Sequence, residues 1–253
     1  MSSLTLQEVA NCTKNKPLII HINSLGLLRM GVDNNDRFSN LNTVLNKIQG
    51  KGGNIAIPTF SYSYTNQEMY DVINTPSSLD DLSEYLRRCN SKKRTTDPNF
   101  SYLMFGNSFS RKHLKVSDYS TFGADSLIDD VYRKDGYLGA IGGALEYMTE
   151  IHYLERKLNI SYRFDKIFKG SSVNCSGEII NNEATHFCRD LKSDYLVSFV
   201  KLKEDIRLSG IVKIWKLKEY NLKIEVVKIK ELHMFIKGKL LKNPKYLWKE
   251  ISE

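Results

Sequence analysis

The order of strand, loop, helix and strand near the start of the chain constrains its fold most. Pro17-Leu18-Ile19-Ile20-His21-Ile22 is an apolar, β-branched run, the pattern of a buried strand. Asn23-Ser24-Leu25-Gly26 breaks it with small residues. Leu41, Val44, Leu45 and Ile48 then recur at helical spacing, and Gly50-Lys51-Gly52-Gly53 ends that helix. Asn54 to Pro58 reads as a second buried strand. A strand returning through a helix to a second strand makes a parallel unit. Ligands of open α/β sheets gather at the carboxyl ends of the strands, which places His21, Ser24, Thr59 and Ser61 along one edge. The expected fold is α/β: a central mixed, largely parallel sheet with flanking helices and a C-terminal antiparallel β-rich portion.

The remaining pattern fills in around this unit. Residues 5–15 read as a leading helix, and Leu79–Arg88 as another, capped by Ser77 or Ser78. The apolar half of Arg94 to Gly106 is a strand. Asp125 or Ser126 caps a helix whose buried face is Leu127, Ile128 and Val131. Tyr195–Leu202, Ile211–Leu217 and Leu222–Ile229 alternate apolar and polar residues as antiparallel strands do. Met234 to Leu241 has helical spacing, and Asn243-Pro244 stops it. One domain over residues 1–253 is expected, with residues 170–253 as its β-rich subregion.

Composition narrows the class. A chain of 253 residues is long enough for a sizeable core. It holds no apolar run of transmembrane length and no basic, apolar leader, so a cytoplasmic protein without membrane insertion is expected. Cys12, Cys89, Cys175 and Cys188 are too scattered for zinc spacing and read as reduced thiols, and no metal is expected. The net charge of +8 suits nucleic acid, a membrane surface or an anionic small ligand. Lys201, Lys203, Lys213, Lys216, Lys218, Lys237 and Lys239 supply much of the surplus. They alternate with apolar residues and read as solvated strand faces, and no nucleic-acid motif accompanies them.

The chemistry concentrates after a strand ending in a double glycine, Tyr137 to Gly143. Thr149 stands before an apolar-periodic run, as an N-cap does, and Glu150 in the first turn suits the positive end of the helix dipole. Ile151, Leu154 and Leu158 mark the buried stripe. His152 and Glu155 are three apart and share a helix face along its border. A half-buried imidazole held by a carboxylate is what a general base needs. A polar pair decorating a helix edge fits the same spacing, and spacing alone favours it.

The segment Thr149-x-x-His152-x-x-Glu155 after a strand–glycine turn resembles the aminoglycoside 3-N-acetyltransferase family. His21 to Gly26, Ile57-Pro58-Thr59-Phe60-Ser61, Arg94 to Gly106 and Phe122 to Ser126 match that family in order, as does the ending Asn243-Pro244. The resemblance implies transfer of an acetyl group from acetyl-CoA to an amine. It implies His152 as base, Glu155 as its orienting acid, and Thr149 or a nearby backbone N–H as donor to the oxyanion or thiolate. It places CoA against Asn23, Ser24, Leu25 and Gly26, Thr59 and Ser61, and Arg94, Thr95 and Thr96. Each of these also has a plainer reading as a turn, a strand end or a surface arginine. A second likeness, in Tyr62, Tyr64, Asp71, Tyr162, Arg163 and Lys166 with their neighbours, is to a branch serving surface-polysaccharide (O-antigen or capsule) sugar synthesis. A polycationic aminoglycoside asks for an acidic pocket, and this chain is basic. The expected acceptor is therefore a nucleotide-linked amino sugar, with those six residues at its site. An aminoglycoside is the alternative, and a non-catalytic binding protein on the same fold is the alternative of another class.

Overall fold

Four apolar runs of the first 141 residues form four adjacent strands of one sheet. The computed structural model describes residues 2–24, 27, 37–143, 145, 148–190 and 195–250. In chain order these form β1 (Ser2–Ser3), α1 (Leu6–Thr13), β2 (Leu18–Ile22), α2 (Arg37–Gly50), β3 (Ile55–Pro58), β4 (Tyr70–Asp71), α3 (Asp81–Asn90), β5 (Tyr102–Phe105), β6 (Tyr119–Ser120) and α4 (Leu127–Arg133). They continue with β7 (Tyr137–Ile141), α5 (Ile151–Lys157), β8 (Arg163–Val173), β9 (Ile179–Arg189), β10 (Tyr195–Val197), α6 (Val200–Ser209), β11 (Lys213–Leu217), β12 (Leu222–Lys228), α7 (Ile229–Lys242) and β13 (Trp248–Glu250).

The main sheet runs β1-β11-β12-β7-β2-β3-β5. Its centre, β7-β2-β3, is parallel, as the strand–helix–strand order requires. β11 and β12 extend it antiparallel on one side and β5 on the other, so the C-terminal strands join the sheet they were expected to accompany. Side chains alternate across the strands. Leu18, Ile20, Ile55, Ile57, Leu103 and Phe105 pack with α1, α2 and α3 on one face. Ile19, Ala56, Tyr102, Met104, Leu138 and Ala140 pack with α4 to α7 on the other. His21 follows Ile19 on that second face. The chain order reverses at β2, whose neighbours are β3 and the much later β7. The crevice beyond the carboxyl ends of β2 and β7 is thus the topological switch point.

Several expectations need correction. Asp80, not Ser77 or Ser78, caps α3: its carboxylate accepts from Ser83 N at 2.7 Å, while Ser77 bonds the Ser83 hydroxyl. Ser126 caps α4. Thr149 is not a cap, because α5 begins two residues later and its cap position, Glu150, makes no capping bond. Tyr195–Leu202 is not one strand. β10 ends at Val197, and α6 buries Leu202 and Ile206 at i,i+4 spacing. The long β8–β9 hairpin was not expected. Arg163 to Lys169 mixes charged and apolar residues irregularly and is largely exposed on both faces, so it carries no clean alternation. β8 and β9, flanked by β4 and β6, form a second sheet laid beside the first.

Candidate active site

At the end of β7 the chain turns through Gly142 and Gly143, whose φ angles of +85° and +77° favour glycine. The turn returns the backbone to the carboxyl edge of the sheet, where α5 starts. On α5, His152 Nδ1 lies 2.7 Å from Glu155 Oε2. Glu155 is fully buried and is gripped from two further sides. The Tyr162 hydroxyl donates to Oε1 at 2.6 Å, and Arg163 Nε lies 2.8 Å from Oε2. Burial opposes ionisation of Glu155, but the bond and charge of His152, the charge of Arg163 and the bond from Tyr162 outweigh it and hold the carboxyl below its usual range. An ionised carboxylate only accepts, so Nδ1 carries a proton and Nε2 is the basic nitrogen whenever the imidazole is neutral. The imidazole is 21% exposed, enough to meet a ligand.

A second His–Glu pair joins the end of β2 to the start of α5. His21, at the end of β2, places Nε2 at 2.8 and 3.0 Å from the two oxygens of Glu150, a residue with no exposure at all. Tyr102 from β5 donates to Glu150 Oε1 at 2.7 Å. Burial raises the Glu150 carboxyl, yet the charge and bond of His21 and the bond from Tyr102 leave it lowered on balance. Glu150 makes no side-chain capping bond; its carboxylate is bonded to His21 and Tyr102 instead. Tyr102 itself is pushed well above the usual phenol range by burial and by Glu150, so it stays a donor.

A run of aromatic rings joins the two pairs. His21 packs edge-on to Phe60, Phe60 to Phe100, Phe100 against Phe122, and Phe122 edge-on to His152, with centroids 5.0–6.2 Å apart. His186 from β9 stacks on Phe100 at 4.8 Å and also touches Phe122. Burial, aided by the charges of His152 and Arg163, pushes His186 down to about 4, so it is neutral at physiological pH. His21 also borders a cleft of about 370 Å³ between the β2–β3 edge and α3, lined by Asn23, Ser24, Pro58, Leu82 and Leu86.

The residues expected to hold CoA divide. Asn23 and Ser24 line that cleft; Leu25 and Gly26 lie outside the described residues. Thr59, Ser61, Arg94, Thr95 and Thr96 are buried. Arg94 is fully buried, donating to Ser101 Oγ and to the carbonyls of Thr59 and Thr75, with its guanidinium over the Tyr70 ring. Thr59 and Ser61 bond the carbonyls of Ser101 and Pro98, Thr96 bonds that of Lys115, and the Thr95 hydroxyl accepts from Tyr102 N. These polar groups satisfy one another inside the protein and brace the loops beneath the site.

The six acceptor residues divide as well. Tyr64 is buried and ties its loop to the hairpin through Ser172 and Asn182. Asp71 closes its own turn on Ile73 N and Asn74 N. Tyr162 and Arg163 come to the site, but as holders of Glu155. Tyr62, half-buried at φ +56°, packs against Phe60 and Phe100, and exposed Lys166 stands across the hairpin from His186. His113 is fully enclosed, with one nitrogen on Asp130 and the other on Tyr119, a brace rather than a reactive group. Among the described residues no three metal-ligating side chains gather, and no helix is long and apolar enough to cross a membrane.

Sequence reasoning missed Glu150, Tyr102 and His186. Their partners come from other elements, and no local spacing announces such contacts.

Comparison with known proteins bears on this arrangement. A family model described as aminoglycoside 3-N-acetyltransferase matches residues 29–238. No curated protein sequence matches the chain. Among solved structures, the chain is similar to AAC-IIIb in binary complex with CoASH, at 14% identity over 95% of this chain and 97% of that one, with a TM-score of 0.67. It is similar to AAC-VIa bound to sisomicin at 14% identity, 97% and 99% coverage and a TM-score of 0.67. The YokD protein from Bacillus subtilis shares 16% identity over 95% and 100% of the two chains, with a TM-score of 0.65. At these identities the likeness is one of fold.

Proposed function

The chain belongs to the aminoglycoside 3-N-acetyltransferase family, and on that premise we propose that His152 is the base that lets an acceptor amine take the acetyl group of acetyl-CoA. As a family member it is an acetyl-CoA-dependent N-acetyltransferase; the assignment of residues is our own. The observation that carries it is the His152–Glu155 pair, a partly exposed imidazole whose Nδ1–H is fixed on a buried carboxylate.

The chemistry follows from that tautomer. A neutral amine attacks the thioester carbonyl carbon while Nε2 of His152 accepts its proton, with the Glu155 carboxylate stabilising the imidazolium that forms. Tyr162 and Arg163 keep Glu155 in place. The Thr149 hydroxyl, one turn before His152, is the donor for the oxyanion. The C–S bond then breaks and CoA departs, with no covalent enzyme intermediate. The pantetheine arm enters by the cleft along Asn23 and Ser24, whose apolar wall of Pro58, Leu82 and Leu86 suits a long flexible chain.

The acceptor is an aminoglycoside-class amine. The family description supports this over the nucleotide-linked amino sugar that charge and the second likeness favoured. The residues that would have met a sugar nucleotide are largely engaged elsewhere: Tyr64 and Asp71 in structure, Tyr162 and Arg163 on Glu155. The test is free-thiol release from acetyl-CoA against a panel of aminoglycosides and nucleotide-linked amino sugars. Release with aminoglycosides alone is the expected result. Release with amino sugars alone would restore the acceptor first read from the sequence.

A further inference from the structure

We propose that His21, held by Glu150, is the general acid that protonates the sulfur of departing CoA, so that two imidazoles divide the proton traffic of one transfer. The inference deepens the acetyltransferase reading above and rests on it.

Three observations converge on His21. It lines the cleft together with Asn23 and Ser24, on the route assigned to the thioester arm. Its Nε2 is clamped by both oxygens of Glu150, so Nε2 carries a proton and Nδ1 is the nitrogen left for a ligand. Among the described residues none hydrogen-bonds Nδ1. Finally, Glu150 is wholly buried and has a second donor in Tyr102, so the carboxylate is fixed and its charge is directed at one imidazole. With Nε2 held on Glu150, the donor of a protonated His21 toward a ligand is Nδ1–H, on a side chain that lines the cleft.

The step balances. The amine nitrogen forms its bond to the acetyl carbon, and the C–S bond breaks with its electron pair going to sulfur. The amine proton passes to Nε2 of His152. The sulfur takes the Nδ1 proton of His21, which is left neutral with Nε2–H still on Glu150. Solvent then returns one proton to His21 and removes one from His152. Glu150 lies two residues before His152, so the start of α5 fixes both imidazoles at once. The titratable groups facing His21 are Glu150 from the start of α5, Tyr102 from β5 behind it, and Asp80 on the far wall of the cleft; Phe60 supplies an apolar edge.

The test is His21→Gln, which keeps a polar side chain, alongside Glu150→Gln, with acetyl-CoA as donor and the best acceptor of the panel. Three readouts are needed: kcat across pH, CoA affinity by calorimetry, and a thermal melt to establish folding. His21→Gln should lose about 10²-fold in kcat, keep CoA affinity within about threefold, and lose the fall in rate on the alkaline side. Glu150→Gln should retain that fall but move it to lower pH, because the imidazolium loses its counter-charge. An unchanged kcat in folded His21→Gln, or an alkaline limb that survives it, would overturn the assignment. Loss of CoA affinity matching the loss of rate would make His21 a binding residue and overturn it equally. A wild-type protein that binds CoA but transfers nothing would remove the acetyltransferase reading itself, an outcome distinct from these.

Discussion

His152 with Glu155 and His21 with Glu150 are the same chemical device built in two ways. The first closes within one turn of α5, three residues apart. The second closes across 129 residues, from the end of β2 to the start of α5. Both carboxylates are fully buried, both imidazoles are about one-fifth exposed, and a tyrosine hydroxyl supports each carboxylate. The difference lies in what fixes them. The local pair is set by helix geometry and then locked by Arg163 and Tyr162 from the start of the hairpin. The distant pair exists only because the parallel register sets β2 beside β7 and the glycine turn returns the chain to the edge of β2. A pair written into one helix can survive loose packing; a pair written into the topology cannot.

This contrast can be broken at several points. The largest effect is expected from His152→Ala, which removes the proposed base: kcat should fall by about 10²–10⁴-fold with the melt little changed, as steady-state thiol release would register. Glu155→Gln comes next. It leaves Arg163, which is only 8% exposed, beside a neutral amide. Loss of one partner from a buried ion pair costs about 3–5 kcal/mol, so denaturant unfolding should move strongly while the rate falls less than in His152→Ala. Tyr102→Phe tests the distant pair by removing its outer support. It should cost about 1.5–3 kcal/mol, the range for a hydrogen bond to a charged group, and leave the His152 pair untouched. If Tyr162→Phe and Tyr102→Phe had equal effects on the pH profile, the two pairs would not be doing different work.

The smallest effect concerns His186. Its folded value of about 4 lies below the 6.5 of an ordinary histidine because burial penalises its charge. Between pH 6.5 and 4 the unfolded chain takes up a proton that the folded chain refuses, so stability falls as pH drops through that window. His186→Phe should flatten this slope, which is at most about 1.4 kcal/mol per pH unit for one group. Urea midpoints at several pH values would show it.

The same contrast explains how far the sequence could be read. Residues that act through neighbours a turn away were legible: Leu41, Val44, Leu45 and Ile48 marked α2, and the i,i+3 spacing set His152 beside Glu155. The strand pattern also placed His21 at the correct edge. What it could not supply was the partner from elsewhere. Glu150 looked like a first-turn acid suited to a helix dipole, and only the fold shows its side chain on His21. The resemblance placed Arg94 against CoA, yet burial turned each of its bonds toward protein carbonyls and a serine. The β8–β9 hairpin escaped because much of its first strand is solvated on both faces and so lacks the alternation by which strands are found.

The most direct measurement of the central claim is single-turnover acetyl transfer by His152→Ala against wild type, with acetyl-CoA binding followed in parallel and free imidazole added to the variant. The account predicts unchanged binding, transfer slowed by at least about 10²-fold, and partial recovery as added imidazole replaces the missing base. Transfer at the wild-type rate in the variant would contradict it.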